Sequence, residues 1–367
     1  MPASVFVYIS PSSPPMYAHE TATLLTVGRT IARLKQCEFR GLYSGQRRSP
    51  GMFFIPDEAL VLDEAERLGI RAPTDLFGGG VPHVFVGTKA ITHGLVDDNT
   101  ARPDGWSPSF ARKVSHVVLP GYTVFSATDA RVAAKHMLGR GTVRLKRPLS
   151  CGGGGQRLVA DVAEVEAFLE EFSKDELVTH GLVLEMNLDD VTTLSVGKIT
   201  IDGIVVTYHG VQRVAMDNHG RLVYGGSDLL CLRGDWNTLD RLAMPPEVRL
   251  GIAQARQYDE ATSDYPRFMS SRRNYDVAQG TDARGRRRSG VLEASWRSGG
   301  ATTAELAALE LFMQDPQLQG VEVSAVKHFG AAHEPPRDAV VHFQDEDPRE
   351  GPLTRYTMVK RTLRQAA

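Results

Sequence analysis

The sequence predicts a protein of the mixed α/β (α+β) class, and three observations support this prediction. Strand-like and helix-like patterns alternate over roughly the first 110 residues, as in an α/β layer. A shorter stretch alternates in the same way around a run of glycines. Long alternating segments with DG and HG turns follow, which is typical of consecutive antiparallel strands. We therefore expect three parts, covering residues 1–108, 109–187 and 188–367.

Composition places the chain among ordinary globular proteins. Hydrophobic residues make up 42% of it, charged residues 23%, and the formal net charge is -2. This balance gives no general electrostatic reason to bind nucleic acid or an anionic membrane. No apolar run reaches the ~18 residues that a membrane span needs, and the start of the sequence has no signal-peptide pattern. We expect a cytoplasmic protein that binds neither nucleic acid nor membrane.

The N-terminal part begins with an apolar strand over residues 4–9 and a helix over residues 19–35. A further strand and an acidic helix follow in FFIPDEALVLDEAERLGI. Next, His83, Lys89 and His93 come near predicted strand ends, where ligand sites form in α/β folds. Lone polar residues at such positions are more often exposed to solvent, so we expect exposure for all three.

The glycine run is the most unusual feature of the middle part, and it consists of Gly152, Gly153, Gly154 and Gly155. A short strand ending at Lys146 precedes it and a second short strand follows, so this stretch is predicted to be a hairpin. Four successive glycines allow backbone N–H groups to approach a polyphosphate closely. A plain hairpin with a solvated lysine is an equal alternative. The run is neither a Walker A loop nor a dinucleotide fingerprint, which a helix would follow.

The last part is predicted to be mostly strand. Residues 181–188, GLVLEMNL, form an apolar strand interrupted by Glu185, whose carboxylate needs a partner if it is buried. Prolines 245 and 246 either break a helix or begin a second one. The segments GVEVSAVKHF and AVVHFQ resemble edge strands followed by a charged tail.

Two neighbouring strands, over residues 274–279 and 289–296, carry the polar residues of most interest. On the second strand Glu293, Ser295 and Arg297 alternate with apolar neighbours. Because side chains of a strand alternate between its faces, these three are expected to share one face. The pattern therefore predicts a polar wall on this hairpin.

A lysine strand, a glycine loop and a second strand, in this order and with these downstream acids, resemble the ATP-grasp superfamily. The resemblance covers about residues 110 to 310, and order and spacing over such a length are more specific than a single motif. Within the superfamily, the chain resembles a bacterial branch whose function is not assigned. The resemblance implies an ATP-grasp fold, with two lobes clasping ATP, preceded by a Rossmann-like pre-ATP-grasp α/β domain.

The resemblance also implies a nucleotide site. Lys113 and Lys146 fall where the family has two phosphate-contacting lysines, and the four glycines would close over the phosphates. VLEMNLDD is similar to the linker between the two lobes. That similarity assigns Glu185 to the adenine amino group, and Met186 and Leu188 to backbone and apolar contacts.

A metal site is implied as well, because ATP-grasp enzymes place an acid on one strand and an E-x-N-x-R pattern on the next. Here Asp276 is the acid, and Glu293, Ser295 and Arg297 stand at the pattern positions. The similarity assigns magnesium, with manganese as a substitute, to Asp276, Glu293 and Ser295. It assigns catalytic roles to Arg297 and Lys146. Serine instead of asparagine leaves the number of metals open. Taken singly, these residues also fit an exposed hairpin, with Arg297 paired to Glu293.

By analogy with the family, the expected function is an ATP-dependent ligase. It would join a small-molecule carboxylate to an amine through an acyl-phosphate, with ATP and magnesium as cofactors. A small-molecule kinase and a nucleotide-binding regulator without turnover are the alternatives. A homodimer is expected from the habit of the family. The sequence identifies neither substrate.

Overall fold

The computed structural model describes residues 4–11, 13–46, 49–150, 154–331 and 333–364. In this part of the chain the strands form four sheets, the largest with eight strands. Among the described helices, none is long and apolar enough to cross a membrane. The mixed α/β (α+β) class that the sequence predicts is confirmed.

The N-terminal layer is a parallel sheet of order β2-β1-β3 with a helix packed on it. Its elements are β1 (Ser4–Tyr8), α1 (Ala18–Leu34), β2 (Glu38–Leu42) and β3 (Met52–Pro56). Val5 and Val7 of β1 are buried against Leu24, Val27 and Ile31 of α1. These three recur at helical spacing, which is why the pattern predicted this helix.

Short elements connect this layer to the rest. They are β4 (Leu60–Val61), α2 (Leu62–Leu68), β5 (Gly79–Val81) and two 3₁₀ turns, Val84–Gly87 and Lys89–Thr92. The hydroxyl of Thr88 caps the second turn by accepting a hydrogen bond from the backbone N–H of Ala90, at 3.1 Å. This turn packs against the small sheet and against the edge of the large sheet, both described next.

A small lobe follows, with helices on one face of an antiparallel sheet. Helix α3 (Pro108–Val114) precedes this lobe and packs on the helix Pro246–Ala261 of the following part. The elements of the lobe are β6 (Gly121–Val124), α4 (Ala127–Leu138), β7 (Val143–Lys146), β8 (Gln156–Val159), α5 (Val162–Leu169), α6 (Lys174–His180) and β9 (Leu182–Met186). The strand order is β6-β9-β7-β8. Val143 and Leu145 pack on the helices, so alternation turns Arg144 and Lys146 to the other face.

The eight-stranded sheet is antiparallel and dominates the rest of the chain. Its strands are β10 (Asp189–Ile201), β11 (Ile204–Met216), β12 (Leu222–Arg233), β14 (Arg272–Thr281), β15 (Arg287–Ser295), β16 (Leu318–Phe329), β17 (Val340–Asp347) and β18 (Gly351–Arg364). The remaining elements are α7 (Asn237–Asp240), α8 (Pro246–Ala261), β13 (Met269–Ser270) and α9 (Thr302–Gln314). The strand order is β15-β14-β10-β11-β12-β16-β18-β17, and β13 instead joins β5 and β4.

Two predictions about the last part are resolved by this order. Pro246 begins a second helix, as one of the two alternatives proposed. The prediction that β16 is an edge strand is wrong, because the predicted tail forms β18 and pairs beside it. Among the described strands, β17 lies at that edge. An alternating pattern shows that a strand has an apolar face, but not whether another strand will pair with it.

The N-terminal layer and the large sheet share one hydrophobic core. Val7 and Ile31 from the first layer lie in the same buried cluster as Leu309 of α9 and Val323 of β16. Helix α9 is therefore packed between α1 and the large sheet. The domain limits at residues 108 and 187 stay predictions. The shared core places the first layer against one face of the large sheet.

Candidate functional site

Two carboxylates lie opposite each other on the polar face of the large sheet. In the register of β14 and β15, Asp276 pairs with Glu293, whereas the next pair is Val277 with Val291. Leu292 is thus the extra residue of a β-bulge. Without the bulge, alternation would turn Glu293 to the opposite face of the sheet, together with Val291. The bulge therefore creates the carboxylate pair.

The hydrogen bonds that Asp276 accepts come from neutral side chains. Burial and the negative charge of Glu293 together raise the pKa of Asp276 to about 6. The amide of Asn274 donates a hydrogen bond to Asp276 Oδ1 at 2.8 Å, and the Ser195 hydroxyl lies 3.5 Å from the same oxygen. These partners are neutral, so the negative charge of Asp276 stays available to a cation.

The carboxylate pair fits a magnesium ion of the kind that binds together with a nucleotide. Within the described residues, no group of three or more His, Cys, Asp or Glu side chains is arranged to hold a metal ion. Mg²⁺ is usually bound by one or two carboxylates, with waters and substrate phosphates as its other ligands. Asp276 and Glu293 supply that number of carboxylates. The donor set therefore fits a magnesium ion that arrives together with a polyphosphate.

A buried network fixes the strand that carries Asp276. Arg272 and Glu305 form a two-pronged salt bridge, with Nε to Oε2 at 2.9 Å and Nη2 to Oε1 at 2.7 Å. The Tyr208 hydroxyl lies 2.7 Å from Glu305 Oε1 and 3.0 Å from Asn274 Oδ1. Gly197 makes room for this tyrosine, since a Cβ there would lie 2.4 Å from its hydroxyl oxygen. The network holds the Asn274 amide toward the carboxylate pair.

Lys89 connects the carboxylate pair to the glycine hairpin. Its ammonium lies 2.9 Å from Glu293 Oε2 and also donates to the backbone carbonyl of Ser150. Lys89 is only 7% exposed. The prediction that Lys89 is exposed is therefore wrong, because its 3₁₀ turn packs against β15. The positive charge at the pair comes from a residue far away in sequence.

The polar face of the small sheet carries a buried triad. Lys146 Nζ lies 2.5 Å from Glu185 Oε1, and His93 Nε2 lies 3.1 Å from Glu185 Oε2. Burial alone would raise the pKa of Glu185, but Lys146 and His93 outweigh it and hold that pKa below its ordinary value. Gly121 leaves space for the imidazole, since a Cβ there would lie 2.8 Å from its Cε1.

The triad decides two predictions about these residues. The partner expected for a buried Glu185 is confirmed. The predicted exposure of His93 is wrong, because His93 is 2% exposed. His83 is half-buried and stacks on Phe85. Glu185 is also the residue assigned to the adenine amino group, and in this structure its two oxygens face Lys146 and His93.

The hairpin predicted around the glycine run is confirmed, since β7 and β8 pair antiparallel. Gly152 and Gly153 lie outside the described residues. Gly154 and Gly155 form the turn that precedes β8. Gly155 has a φ of 62°, and a Cβ there would lie 2.1 Å from the hydroxyl oxygen of Ser150. This position therefore requires glycine, for its conformation as well as for space.

Three predicted nucleotide contacts lie outside the carboxylate pair and the triad. Lys113 is half-exposed on α3 and pairs with Asp264, and none of its described contacts reaches either group. Leu188 is buried with Leu119 where the small lobe joins the large sheet. Met186 lines a cavity of about 230 Å³ on the helix-covered side of the small sheet. The structure thus brings Lys146 and Glu185 together, but not Lys113.

Arg297 follows β15 and contacts the N-terminal layer. Its Nε lies 2.9 Å from Glu58 Oε2, so the alternative in which Arg297 pairs with Glu293 is wrong. Burial raises the pKa of Glu58 and Arg297 opposes that rise. Sequence reasoning missed Glu58, although it is the second residue after β3, at the carboxyl end of a parallel strand, where ligand sites form.

The other residues of the β15 pattern lie as alternation predicts. Trp296 and Ala294 pack into the core on one face. On the other face the Ser295 hydroxyl lies 3.5 Å from Arg272 Nη1. Asn274 pairs with Ser295 across the strands, so an amide oxygen stands on the neighbouring strand beside the serine.

Arg144 is a further basic residue that sequence reasoning missed. It shares its face of β7 with Lys146, and its guanidinium donates to Asn187 Oδ1 at 2.7 Å and to Gln156 Oε1 at 3.4 Å. Both acceptors are neutral, so the charge of Arg144 adds to the positive potential of this face. Alternating apolar and basic residues in VRLK were the available signal.

Several solved structures have a similar fold. They include N5-carboxyaminoimidazole synthetase from Staphylococcus aureus complexed with ADP, with a TM-score of 0.51, 11% identity, and coverage of 98% of this chain and 93% of that chain. Biotin carboxylase from Campylobacter jejuni, in a beta-gamma-ATP complex, has a TM-score of 0.54, 10% identity, and coverage of 98% and 88%. N5-carboxyaminoimidazole synthase from Aspergillus clavatus, with ADP and 5-aminoimidazole ribonucleotide, has a TM-score of 0.51, 10% identity, and coverage of 98% and 94%.

These similarities confirm the predicted ATP-grasp fold. At this level of identity they concern the fold and not the reaction. No curated protein sequence matches the chain. The family model described as "Protein of unknown function (DUF3182)" matches residues 7–357, and the chain belongs to that family.

Proposed function

We propose that this protein is an ATP-dependent ligase that joins a carboxylate to an amine through an acyl-phosphate. The observation that carries the proposal is the carboxylate pair Asp276 and Glu293, which a bulge places on the face that also receives Lys89. Lys89 in turn contacts the hairpin that carries Lys146. Carboxylates for a cation, next to lysines for phosphate oxygens, are the groups that phosphoryl transfer from ATP requires.

Magnesium, with manganese as a substitute, would be held by Asp276 and Glu293, with the Ser295 hydroxyl nearby. Once bound, the cation would neutralise negative charge on the phosphate oxygens. The raised pKa of Asp276 supports this assignment, because two adjacent carboxylates repel each other until a cation joins them. Lys89 would then exchange its contact with Glu293 for a phosphate oxygen.

The proposed reaction has two steps. An oxygen of the substrate carboxylate attacks the γ-phosphorus of ATP, the bond to ADP breaks, and an acyl-phosphate forms. The amine then attacks the acyl carbon, phosphate leaves, and the nitrogen loses a proton, which completes the C–N bond. Lys89 and Lys146 would hold phosphate oxygens, and Arg297 would stabilise the transferred phosphoryl group through its planar fork.

The glycine hairpin would act as the lid of this site. Its contact with Lys89 through Ser150 ties it to the carboxylate pair. A closed hairpin would exclude water, which protects an acyl-phosphate from hydrolysis. The similar structures named above were solved with ADP or ATP-type ligands, and this supports a nucleotide in the same cleft.

Hydroxylamine trapping tests the proposal. The full chain is incubated with ATP, Mg²⁺, hydroxylamine and a panel of carboxylates, and ADP and hydroxamate are measured. We expect ADP release to depend on one carboxylate class and to be matched by hydroxamate, since hydroxylamine captures an acyl-phosphate. ADP release with a phosphorylated product and no hydroxamate would indicate a kinase instead. ATP binding without ADP release over the whole panel would indicate a regulator.

A further inference from the structure

The cavity that Met186 lines, about 230 Å³ in volume, lies on the face of the small sheet opposite the triad. In the register of β7 and β9, Val143 pairs with Met186, and Arg144 pairs with Glu185. Paired residues share a face and successive pairs alternate, so Val143 faces the cavity while Glu185 faces Lys146. A nucleotide held by Lys146 would therefore be separated from this cavity by the sheet.

The inner wall of the cavity is apolar. Met137 of α4 and Val143 of β7 are buried there, and Tyr122 of β6 is half-buried. The ring of Tyr122 lies 6.0 Å from the imidazole of His136, measured between ring centroids. A cavity of roughly 150 Å³ is enough to bind benzene. This larger cavity therefore has room for a ring or a branched alkyl group that carries a polar substituent.

The mouth of the cavity is positively charged. Arg140 follows α4 and is exposed, and in the part of the chain that the structure describes no acceptor pairs with its guanidinium. Ala283, on the opposite wall, belongs to residues 282–288, which contain four arginines and one aspartate. That aspartate is already paired with two of the arginines. Since none of the described residues that line the cavity is acidic, the mouth favours an anion.

The walls of the cavity come from both lobes. Ala283 belongs to the turn between β14 and β15, and a Cβ on Gly141 of the small lobe would lie 2.7 Å from the Ala283 Cβ. Met186 and Asn187 lead from the small sheet into β10. Asn187 Oδ1 accepts a hydrogen bond from Arg144 Nη2 at 2.7 Å, which links the cavity to the other face of β7. A ligand here would therefore touch both lobes and the segment that connects them.

We propose that this cavity is a second binding site, for a small monocarboxylate with an apolar body. The apolar body would lie between Met137, Val143 and Met186. The carboxylate would accept two parallel hydrogen bonds from the Arg140 guanidinium at the mouth. Ligand sites commonly combine an apolar wall with a few polar groups that fix orientation. The inference goes beyond the ligase reaction and does not depend on it, because none of these four side chains takes part in that reaction.

NMR of the methionine methyl groups in the nucleotide-free full chain tests the proposal, because Met137 and Met186 both line the cavity. The probes are benzoate and 3-methylbutanoate. At least one of them should shift both resonances, assigned with Met137→Leu and Met186→Leu. The resonance of Met313 in α9 should stay unchanged. Acetate lacks the apolar body and benzyl alcohol lacks the charge, so each should bind at least about tenfold more weakly than the preferred probe.

Substitution of Arg140 tests the contact at the mouth. Arg140→Met should weaken binding of the preferred probe by about tenfold or more, because the charge-assisted hydrogen bonds are lost. Arg140→Lys keeps the charge and should fall between. Arg131→Met is the matched control, since Arg131 lies on α4, is exposed and pairs with Glu166. Both arginines are exposed, so neither substitution should prevent folding.

Three results would overturn the proposal. One is the absence of shifts at Met137 and Met186 with both apolar carboxylates. Another is equal probe affinity in Arg140→Met and Arg131→Met. The third is acetate binding as tightly as the preferred probe, which would mean that the apolar wall is not used.

A titration in the presence of ADP separates this site from the proposed nucleotide site. The probe should still shift both methionine resonances when ADP is bound. If its apparent dissociation constant rises in proportion to the ADP concentration without levelling off, the two ligands share one site and the proposal is wrong. A wild type that binds the probe but neither ADP nor ATP would contradict the ligase and leave this second site intact.

Discussion

Glu185 and Asp276 are carboxylates of the same fold whose surroundings act on them in opposite directions. Glu185, on the small sheet, is enclosed by Lys146 and His93, and its pKa lies below the ordinary value. Asp276, on the large sheet, faces Glu293 and neutral donors, and its pKa is raised to about 6. The small sheet thus carries a neutralised carboxylate, and the large sheet carries one that lacks a cation.

The difference separates a structural role from a role in binding. A carboxylate with both oxygens satisfied by the chain holds its neighbours in place and needs no ligand. A carboxylate beside another carboxylate is unfavourable until something positive arrives, and such arrangements cluster at functional sites. Substitution of each carboxylate by its amide should therefore change stability in one case and binding in the other.

Glu185→Gln is expected to have the largest effect. It leaves Lys146 buried without its counter-charge, and we expect a loss of about 3–5 kcal/mol in the free energy of unfolding. Urea-induced unfolding followed by circular dichroism measures it. Because folding lowers the pKa of Glu185, its stabilisation is present above the ordinary value of 4.5 and is lost as the pH falls through the folded-state pKa. The wild type should therefore lose more stability in acid than the variant.

Glu166→Gln is the control for this experiment. Glu166 pairs with Arg131 on the surface, where both side chains are more than a third exposed. Exposed ion pairs contribute little to stability, so this variant should unfold like the wild type. If Glu185→Gln loses no more stability than Glu166→Gln, the triad is not a structural unit.

Asp276→Asn should have the next largest effect, on activity instead of stability. We expect magnesium-dependent ADP release to fall by about 10²–10³-fold, the range for loss of one preorganised electrostatic contact. Stability should stay the same or rise, since the repulsion between Asp276 and Glu293 is removed. ADP release and thermal unfolding measure the two quantities. Asp240→Asn serves as the control, because Asp240 is exposed and pairs with Arg256. A loss of stability in Asp276→Asn that is absent from Asp240→Asn would contradict a metal-binding role.

Lys89→Met should have the smallest effect, and its direction is informative. Lys89 competes with a metal ion for Glu293, so its removal should tighten Mg²⁺ binding to the nucleotide-free chain by about tenfold, or about 1.4 kcal/mol. ADP release should nevertheless decrease, because a phosphate contact is lost. Calorimetry with Mg²⁺ alone measures the first effect. Lys198→Met is the control, because Lys198 lies on β10 and pairs with Asp235. It should leave the Mg²⁺ affinity unchanged.

Local patterns predicted much of the fold, and part of the site. Alternation along β15 predicted that Glu293, Ser295 and Arg297 lie opposite the core-facing residues, because the period of a strand is a local property. The bulge at Leu292, which places Glu293 opposite the acid of β14, has no signature in that alternation. Lys89 reaches Glu293 only through packing between distant segments, and no local pattern reports such a contact.

The position of β18 also has a consequence for how the protein is made. β18 is synthesised after β16 and β17 but pairs between them, so β17 has no strand partner until residues 351–364 have left the ribosome. Until then the nascent chain exposes the unpaired edge of β16, and exposed edges promote aggregation. We therefore expect chains stalled before this strand to depend on chaperones.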